Sequence, residues 1–168
     1  MSKSSDQRLS HIDESGDSRM VDVSEKKVSL RRARASGRVR MQAQTRDQIV
    51  SDTGPKGSVL GTARIAGVQA AKRTGLLIPL CHPLPLDHVQ LDFRWEEDDG
   101  AEALLRIEAE AVATARTGVE MEALTAVTVA ALTVYDMTKA VDRAIVVEGI
   151  LLEEKVGGKS GHWKRNDG

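Results

Sequence analysis

The chain has 168 residues, 40% of them hydrophobic, 29% charged and 2% aromatic, with a formal net charge of −1. That length suits one domain with a core of its own, and a near-neutral balance excludes a general nucleic-acid or membrane-surface binder. A single cysteine excludes an internal disulfide and any multi-cysteine zinc knuckle.

Residues 1–19 are polar, without apolar periodicity, and read as a flexible N-terminal tail. They contain no apolar leader, and the longest nearly apolar run, 123–135, is too short for a membrane span. The expected setting is therefore the reducing cytoplasm. Residues 20–41 end in alternating apolar and Arg positions and predict a strand with a basic face. "QTRDQIVSDTGPKGS" predicts a short helix, then a Gly/Pro loop. Ser58 is a natural N-cap for a helix whose stripe is Val59, Leu60, Ala63, Ala66, Gly67, Ala70 and Ala71, with Gly75 as its stop. "LIPLCHPLPL" (77–86) is stiff and extended. In "DHVQLDFRWEE", Val89, Leu91, Phe93 and Trp95 alternate with polar residues as in a strand. "DDG" at 98–100 predicts the hairpin turn into "AEALLRIEAEAVA". Residues 119–139 form a helix that is apolar almost all round, which predicts cover by a second subunit as well as by the sheet. "AIVVEGILLEE" is the last strand, with a bulge at Gly149, and "KVGGKSG" is expected to close the ordered part.

The order strand, helix, strand, strand, helix, strand predicts an α+β, ferredoxin-like βαββαβ domain, its antiparallel sheet covered by helices on one face. The expected division is a tail over 1–19, a single catalytic domain over 20–163, and a C-terminal tail over 164–168.

Cys81 and His82 first suggest a metal site or a nucleophile. A zinc site needs about four ligands. One Cys and four His, two of them near the chain ends, do not supply them in any recognisable spacing. A thiol nucleophile needs a base, and its neighbour in an extended chain points the other way, so Cys81 reads as a small buried hydrophobe. His82, framed by Pro79 and Pro83, stands open between a ligand contact and a structural role. Glu120 suits the macrodipole at a helix start. Glu122 lies deeper in apolar sequence, where an unpaired charge is costly, and needs a partner or a ligand. Asp136 and Lys139 share one helix face. A surface ion pair is the plain reading, but Val134, Tyr135 and Met137 around them favour a tuned acid/base pair. Glu122 and Asp136 are 14 positions apart, about 21 Å along a helix. One small pocket of one subunit cannot hold both, which predicts active sites at a subunit interface. Lys56 in "GPKGS" precedes a helix start, a natural anion contact, although the spacing is not that of a Walker A loop. Lys155 and Lys159 flank Gly157 and Gly158 and read equally as a phosphate cradle or a flexible basic tail. Arg31, Arg32, Arg34, Arg38 and Arg40 suit a polyphosphate or a solvated strand face, the latter for most of them.

Three long stretches carry a resemblance: "TARIAGVQAAKRTGLLIPLCHPLPL", "RTGVEMEALTAVTVAALTVYDMTKAVD" and "LLEEKVGGKSG". In these, over about residues 9–163, the chain resembles the cyclic pyranopterin monophosphate synthase (MoaC) family of molybdenum cofactor biosynthesis. The resemblance implies a lyase converting (8S)-3′,8-cyclo-7,8-dihydroguanosine 5′-triphosphate to cyclic pyranopterin monophosphate with release of pyrophosphate. It also implies a homohexamer, a trimer of dimers. It makes Asp136 the catalytic aspartate with Lys139 beside it, and Lys56, Lys155 and Glu120 further active-site positions. Leu80, Cys81, His82, Met121 and Glu122 become substrate-binding residues, and Lys159 joins Lys56 and Lys155 around the triphosphate. Mg²⁺ is a candidate companion of that triphosphate, but no protein ligand set for a metal is evident. The rival class is a non-catalytic oligomeric nucleotide-binding protein, which would not require the Asp136–Lys139 pair in an apolar helix.

Overall fold

In a computed structural model of the chain, residues 11–13, 15–51, 58–96, 100–159 and 161–166 are described. The central strand is β1 (Ser29–Gln42). Along its whole length it pairs antiparallel with β3 (Glu102–Ala115), from Ser29 opposite Ala115 to Gln42 opposite Glu102. Its other edge carries β4 (Val146–Val156). Outside these lie β2 (His88–Glu96), paired with β3, and the two-residue β5 (Trp163–Lys164), paired with β4. The sheet order is therefore β2-β3-β1-β4-β5. The helices are α1 (Ala43–Val50), α2 (Val59–Lys72), a single turn α3 (Thr74–Leu77) and α4 (Glu120–Thr138). With α2 and α4 packed together against the sheet, this is the ferredoxin-like arrangement.

Period-two alternation places the core. On one face of the sheet, Ala33, Ala35, Val39 and Met41 of β1 and Leu105, Ile107, Ala109 and Ala111 of β3 are buried. They meet Ala63 and Ala71 of α2 and Ala123, Ala126, Val127, Ala130 and Val134 of α4. The small side chains bring helix and sheet close, compensating for the scarcity of aromatics. Ser58 caps α2 as expected, its hydroxyl accepting the Gly61 N–H, worth about 1 kcal/mol. The bulge expected at Gly149 is present: the β1–β4 register shifts between Ser36 and Arg38, where Ser36 faces Leu151 and Arg38 faces Glu148.

Three boundaries differ from expectation. The first strand begins at Ser29, not near residue 20, because Asp22 accepts the Ser24 N–H and turns the chain before the Lys26-Lys27 pair. Helix α2 ends at Lys72, not at Gly75, which belongs to α3. A Cβ on Gly75 would sit 3.0 Å from the Pro83 Cα, so glycine here admits the following segment rather than capping a helix. The chain also does not lose order at "KVGGKSG": β5 follows it and pairs with Glu154 and Lys155. The "DDG" turn lies largely outside the described residues.

The other face of the sheet is charged. Arg106 donates to Glu108 (2.8 Å) and Glu153 (2.7 Å) and lies 3.6 Å from Glu96, while Arg38 donates to Glu96 (2.8 Å). Arg40 reaches Glu148 (2.6 Å) and Glu102 (3.2 Å), Arg34 stands between Glu108 and Glu154, Arg32 lies 3.8 Å from Glu110, and Arg94 donates to Glu108. The Ser36 hydroxyl donates to Glu153 (2.5 Å). The basic strand face seen in the sequence is thus neutralised by carboxylates of its neighbours.

Candidate functional site

The residues after α3 are held at both ends. The Cys81 N–H donates to the Ile78 carbonyl (3.0 Å). At the far end the Asp87 N–H donates to the Val112 carbonyl, and the Asp87 carboxylate accepts the Thr114 N–H (2.7 Å) and hydroxyl (2.9 Å). Prolines 79, 83 and 85 keep the stretch between them out of helical conformations. This fixed strap lies across the N-terminus of α4. Between them opens a pocket of about 360 Å³, lined by Leu80, Cys81, His82, Leu84, Thr117, Gly118, Glu120, Met121 and Glu122, and by His11, Val21 and Lys26 from the N-terminal residues. Two stretches some forty residues apart in sequence, "LCH" and "EME", are thereby brought together.

Glu122 is the electrostatic centre of this pocket. It is only 4% exposed. Burial pushes its carboxyl up to about 7, and the nearby Glu120 pushes the same way, while its own backbone N–H pulls it down. At neutral pH it can therefore hold or release a proton. Burial, followed by Glu122, also raises the Cys81 thiol, which argues against a thiolate. Glu120 accepts from the Lys155 ammonium at 2.8 Å, so Lys155 of β4 is tied to the pocket wall.

A second pocket of about 400 Å³ lies beside the first, lined by Lys26, Lys27, Ser29, Arg31, Gly157, Gly158 and Lys159. Lys26 lines both pockets. The Arg31 side chain donates to the Ala115 carbonyl through Nε (3.2 Å) and to the Arg116 carbonyl through Nη2 (3.3 Å), which fixes its guanidinium. Gly157 and Gly158 have φ of +101° and +79°, and a Cβ on Gly157 would lie 2.3 Å from the Leu30 carbonyl oxygen. Only glycine lets this loop close over Arg31. Among the described residues, Lys26, Lys27 and Lys159 enter no ion pair within 4.0 Å.

Asp136 and Lys139 pair at 2.6 Å at the opposite end of α4. Their side chains are 65% and 52% exposed, so the partly dry cleft expected from the sequence is not formed within this chain. Neither lines the pocket around Glu122. Lys56 lies outside the described residues. Arg32, Arg34, Arg38 and Arg40 belong to the neutralised sheet face; of the five arginines noted in the sequence, Arg31 alone lines the basic pocket. Sequence reasoning missed His11, Val21, Lys26, Thr117 and Gly118. The Lys26-Lys27 doublet before β1 was a usable signal, and so was "DESGD", whose residue types favour an Asx turn. Among the described residues no group of three or more His, Cys, Asp or Glu could hold a metal ion, and no helix is long and apolar enough to cross a membrane.

Fold and site together define an α+β chain that sets a pocket around the buried Glu122 against a basic one at the N-terminal end of α4. A model of the MoaC family matches residues 20–158, and the chain belongs to that family. It is similar to "Cyclic pyranopterin monophosphate synthase 3" of Mycobacterium tuberculosis, 60% identical over 159 residues, which is 95% of this chain and 88% of the relative. It is also similar to proteins named cyclic pyranopterin monophosphate synthase from Thermomicrobium roseum and Chloroflexus aggregans. The first is 55% identical over 159 residues (95% of this chain, 94% of the relative). The second is 55% identical over 167 residues (99% of each).

Proposed function

We propose that this chain is a lyase of molybdenum cofactor biosynthesis. It converts the cyclised dihydroguanosine triphosphate to cyclic pyranopterin monophosphate and releases pyrophosphate. One observation carries the reading: a pocket with Glu122 and His82 adjoins a basic pocket, and Lys26 lines both. That is the arrangement a guanine-derived ring joined to a triphosphate requires.

In this reading His82 and Glu122 hold the ring by hydrogen bonds, with Leu80, Cys81 and Met121 as the walls. Lys26, Arg31, Lys155 and Lys159, with Lys56 from the sequence before α2, hold the phosphates. Lys155 is bound to Glu120 in the free chain, and a phosphate would compete for its ammonium. Forming the cyclic phosphate requires a sugar-derived hydroxyl oxygen to attack the α-phosphorus. The bond to the β-phosphate oxygen breaks, and its electron pair leaves with pyrophosphate. Fixed cations at the second pocket stabilise that developing charge. The hydroxyl and ring protons need acceptors, and Asp136, tuned by Lys139, is the main proton-transfer group. Since Asp136 stands at the far end of α4, a second copy must bring its own helix alongside. The interface reading rests on this distance and on the apolar outer surface of α4, where Leu132 is 54% exposed. A trimer of dimers would supply six such sites. Mg²⁺ enters only as a companion of the substrate's phosphates, because the described lining of the basic pocket includes no carboxylate. A reducing cytoplasm suits the free Cys81 in the pocket wall.

The test is direct. Incubated with the cyclised guanosine triphosphate, the protein releases one pyrophosphate per substrate consumed. Absence of pyrophosphate above the uncatalysed background refutes the reading.

A further inference from the structure

Residues 11–13 and 15–19 carry no apolar periodicity, yet they form an internally bonded turn. The Asp13 carboxylate accepts from the Ser15 N–H (2.9 Å), the Ser15 hydroxyl (2.6 Å) and the Asp17 N–H (2.9 Å). The Asp13 N–H donates to the Asp17 carbonyl (3.0 Å), and the Arg19 N–H to the His11 carbonyl (2.9 Å). Ile12 and Ser18 form a β-bridge across the turn. The Ser15 hydroxyl, followed by the Asp17 N–H, holds the Asp13 carboxyl below its ordinary range, as expected for an ionised turn anchor. These bonds hold the backbone of a short, exposed segment in one course.

One of those side chains lines the pocket that contains Glu122: His11. Its Nδ1 lies 3.3 Å from the Arg19 carbonyl oxygen. A carbonyl only accepts, so Nδ1 bears the proton in that contact and the neutral ring keeps Nε2 as an acceptor. The chain then runs past His82. Asp22 is held below its ordinary carboxyl range mainly by the Ser24 N–H and hydroxyl, with a smaller contribution from the His82 ring. Val21 completes the same wall.

We propose that His11 is a substrate-binding residue: the turn over 11–19 presents its ring to the guanine-derived end of the substrate, where Nε2 accepts a hydrogen bond from a ring N–H. This rests on the function proposed above for the same pocket. His11 lines the same pocket as Leu80, Cys81 and His82 and contributes binding, not proton transfer, to the reaction.

The experiment compares wild type, His11→Ala and His11→Gln in full-length protein. It follows turnover of the cyclised guanosine triphosphate by pyrophosphate release and the affinity for GTP by calorimetry. One lost hydrogen bond predicts a rise in KM of about five- to tenfold for His11→Ala, with kcat changed by less than about twofold. His11→Gln, which retains an acceptor, recovers at least half of that loss on a logarithmic scale. GTP affinity falls in parallel. Thermal midpoints stay together, because His11 is exposed. Turnover by wild type with an unchanged KM in His11→Ala overturns the assignment and leaves the proposed function standing. No turnover by wild type refutes the proposed function, and GTP affinity then decides His11: a five- to tenfold loss keeps it as a ligand contact, and no change overturns it.

Discussion

Two regions of this molecule are dense in charge, and they handle it in opposite ways. On the open face of the sheet, Arg32, Arg34, Arg38, Arg40, Arg94 and Arg106 all stand within ion-pair distance of glutamates from neighbouring strands. At the N-terminal end of α4, Lys26 and Lys159 have no such partner among the described residues, and Glu122 is buried without an ion-pair partner among them. The first region spends its charges on itself. The second leaves them for something that is not part of the fold. Abundance of arginine was therefore a poor guide to the site, and incomplete pairing was a better one.

The sharpest way to break this contrast is at the proposed acid/base group. Asp136→Asn is expected to lower kcat by about 10²–10⁴-fold, while the thermal midpoint changes little because the pair with Lys139 is exposed. Near-normal kcat in a pyrophosphate-release assay would remove Asp136 from the mechanism. Next is Glu122→Gln. The folded chain keeps the Glu122 proton up to about pH 7, whereas the unfolded chain gives it up near 4.5. Between those values the folded state binds the extra proton, so stability falls as pH rises through the window, by on the order of 3 kcal/mol. Urea titrations should find Glu122→Gln more stable than wild type at pH 8 by up to that amount, with the two converging near pH 4. An equal difference at both pH values would show that the carboxyl is not titrating in this window. On the sheet, Arg106→Ala takes one partner each from Glu96 and Glu108 and leaves Glu153 with the Ser36 hydroxyl, and is expected to cost about 1–3 kcal/mol with kcat unchanged. Arg32→Ala removes one long, exposed contact and is expected to cost less than about 0.5 kcal/mol by the same measurement. If those two variants proved equally costly, the central network would be no more than a set of separate surface pairs.

The backbone plan was legible because its signals are local. Val89 to Trp95 and Ala103 to Ala111 alternate, and the α2 stripe repeats at three and four. The single-cysteine argument likewise turned attention from Cys81 to His82, and both line the pocket with Glu122. What escaped was non-local. Arg34 and Glu108 are 74 positions apart in sequence, and only strand register makes them neighbours. His11 and Val21 carry no periodic pattern, since a turn stabilised by Asp13 side-chain bonds needs none. The surroundings of Asp136 could not be read from Val134 and Tyr135, because helix neighbours in sequence point in different directions.

The neutralised sheet face also bears on how the protein tolerates acid. Burial works against ionised Glu108, yet hydrogen bonds from Arg106 and Arg94 hold its carboxyl below the ordinary range. His162 does the same for Glu154. Carboxyls lowered on folding contribute stability above their unfolded values, and that contribution is lost as pH falls through the folded ones. As those carboxyls are protonated, arginines on three strands, β1, β2 and β3, lose the charges that separate them. Acid should therefore open this molecule from the sheet side, while alkali bears on it through Glu122 at the helix side.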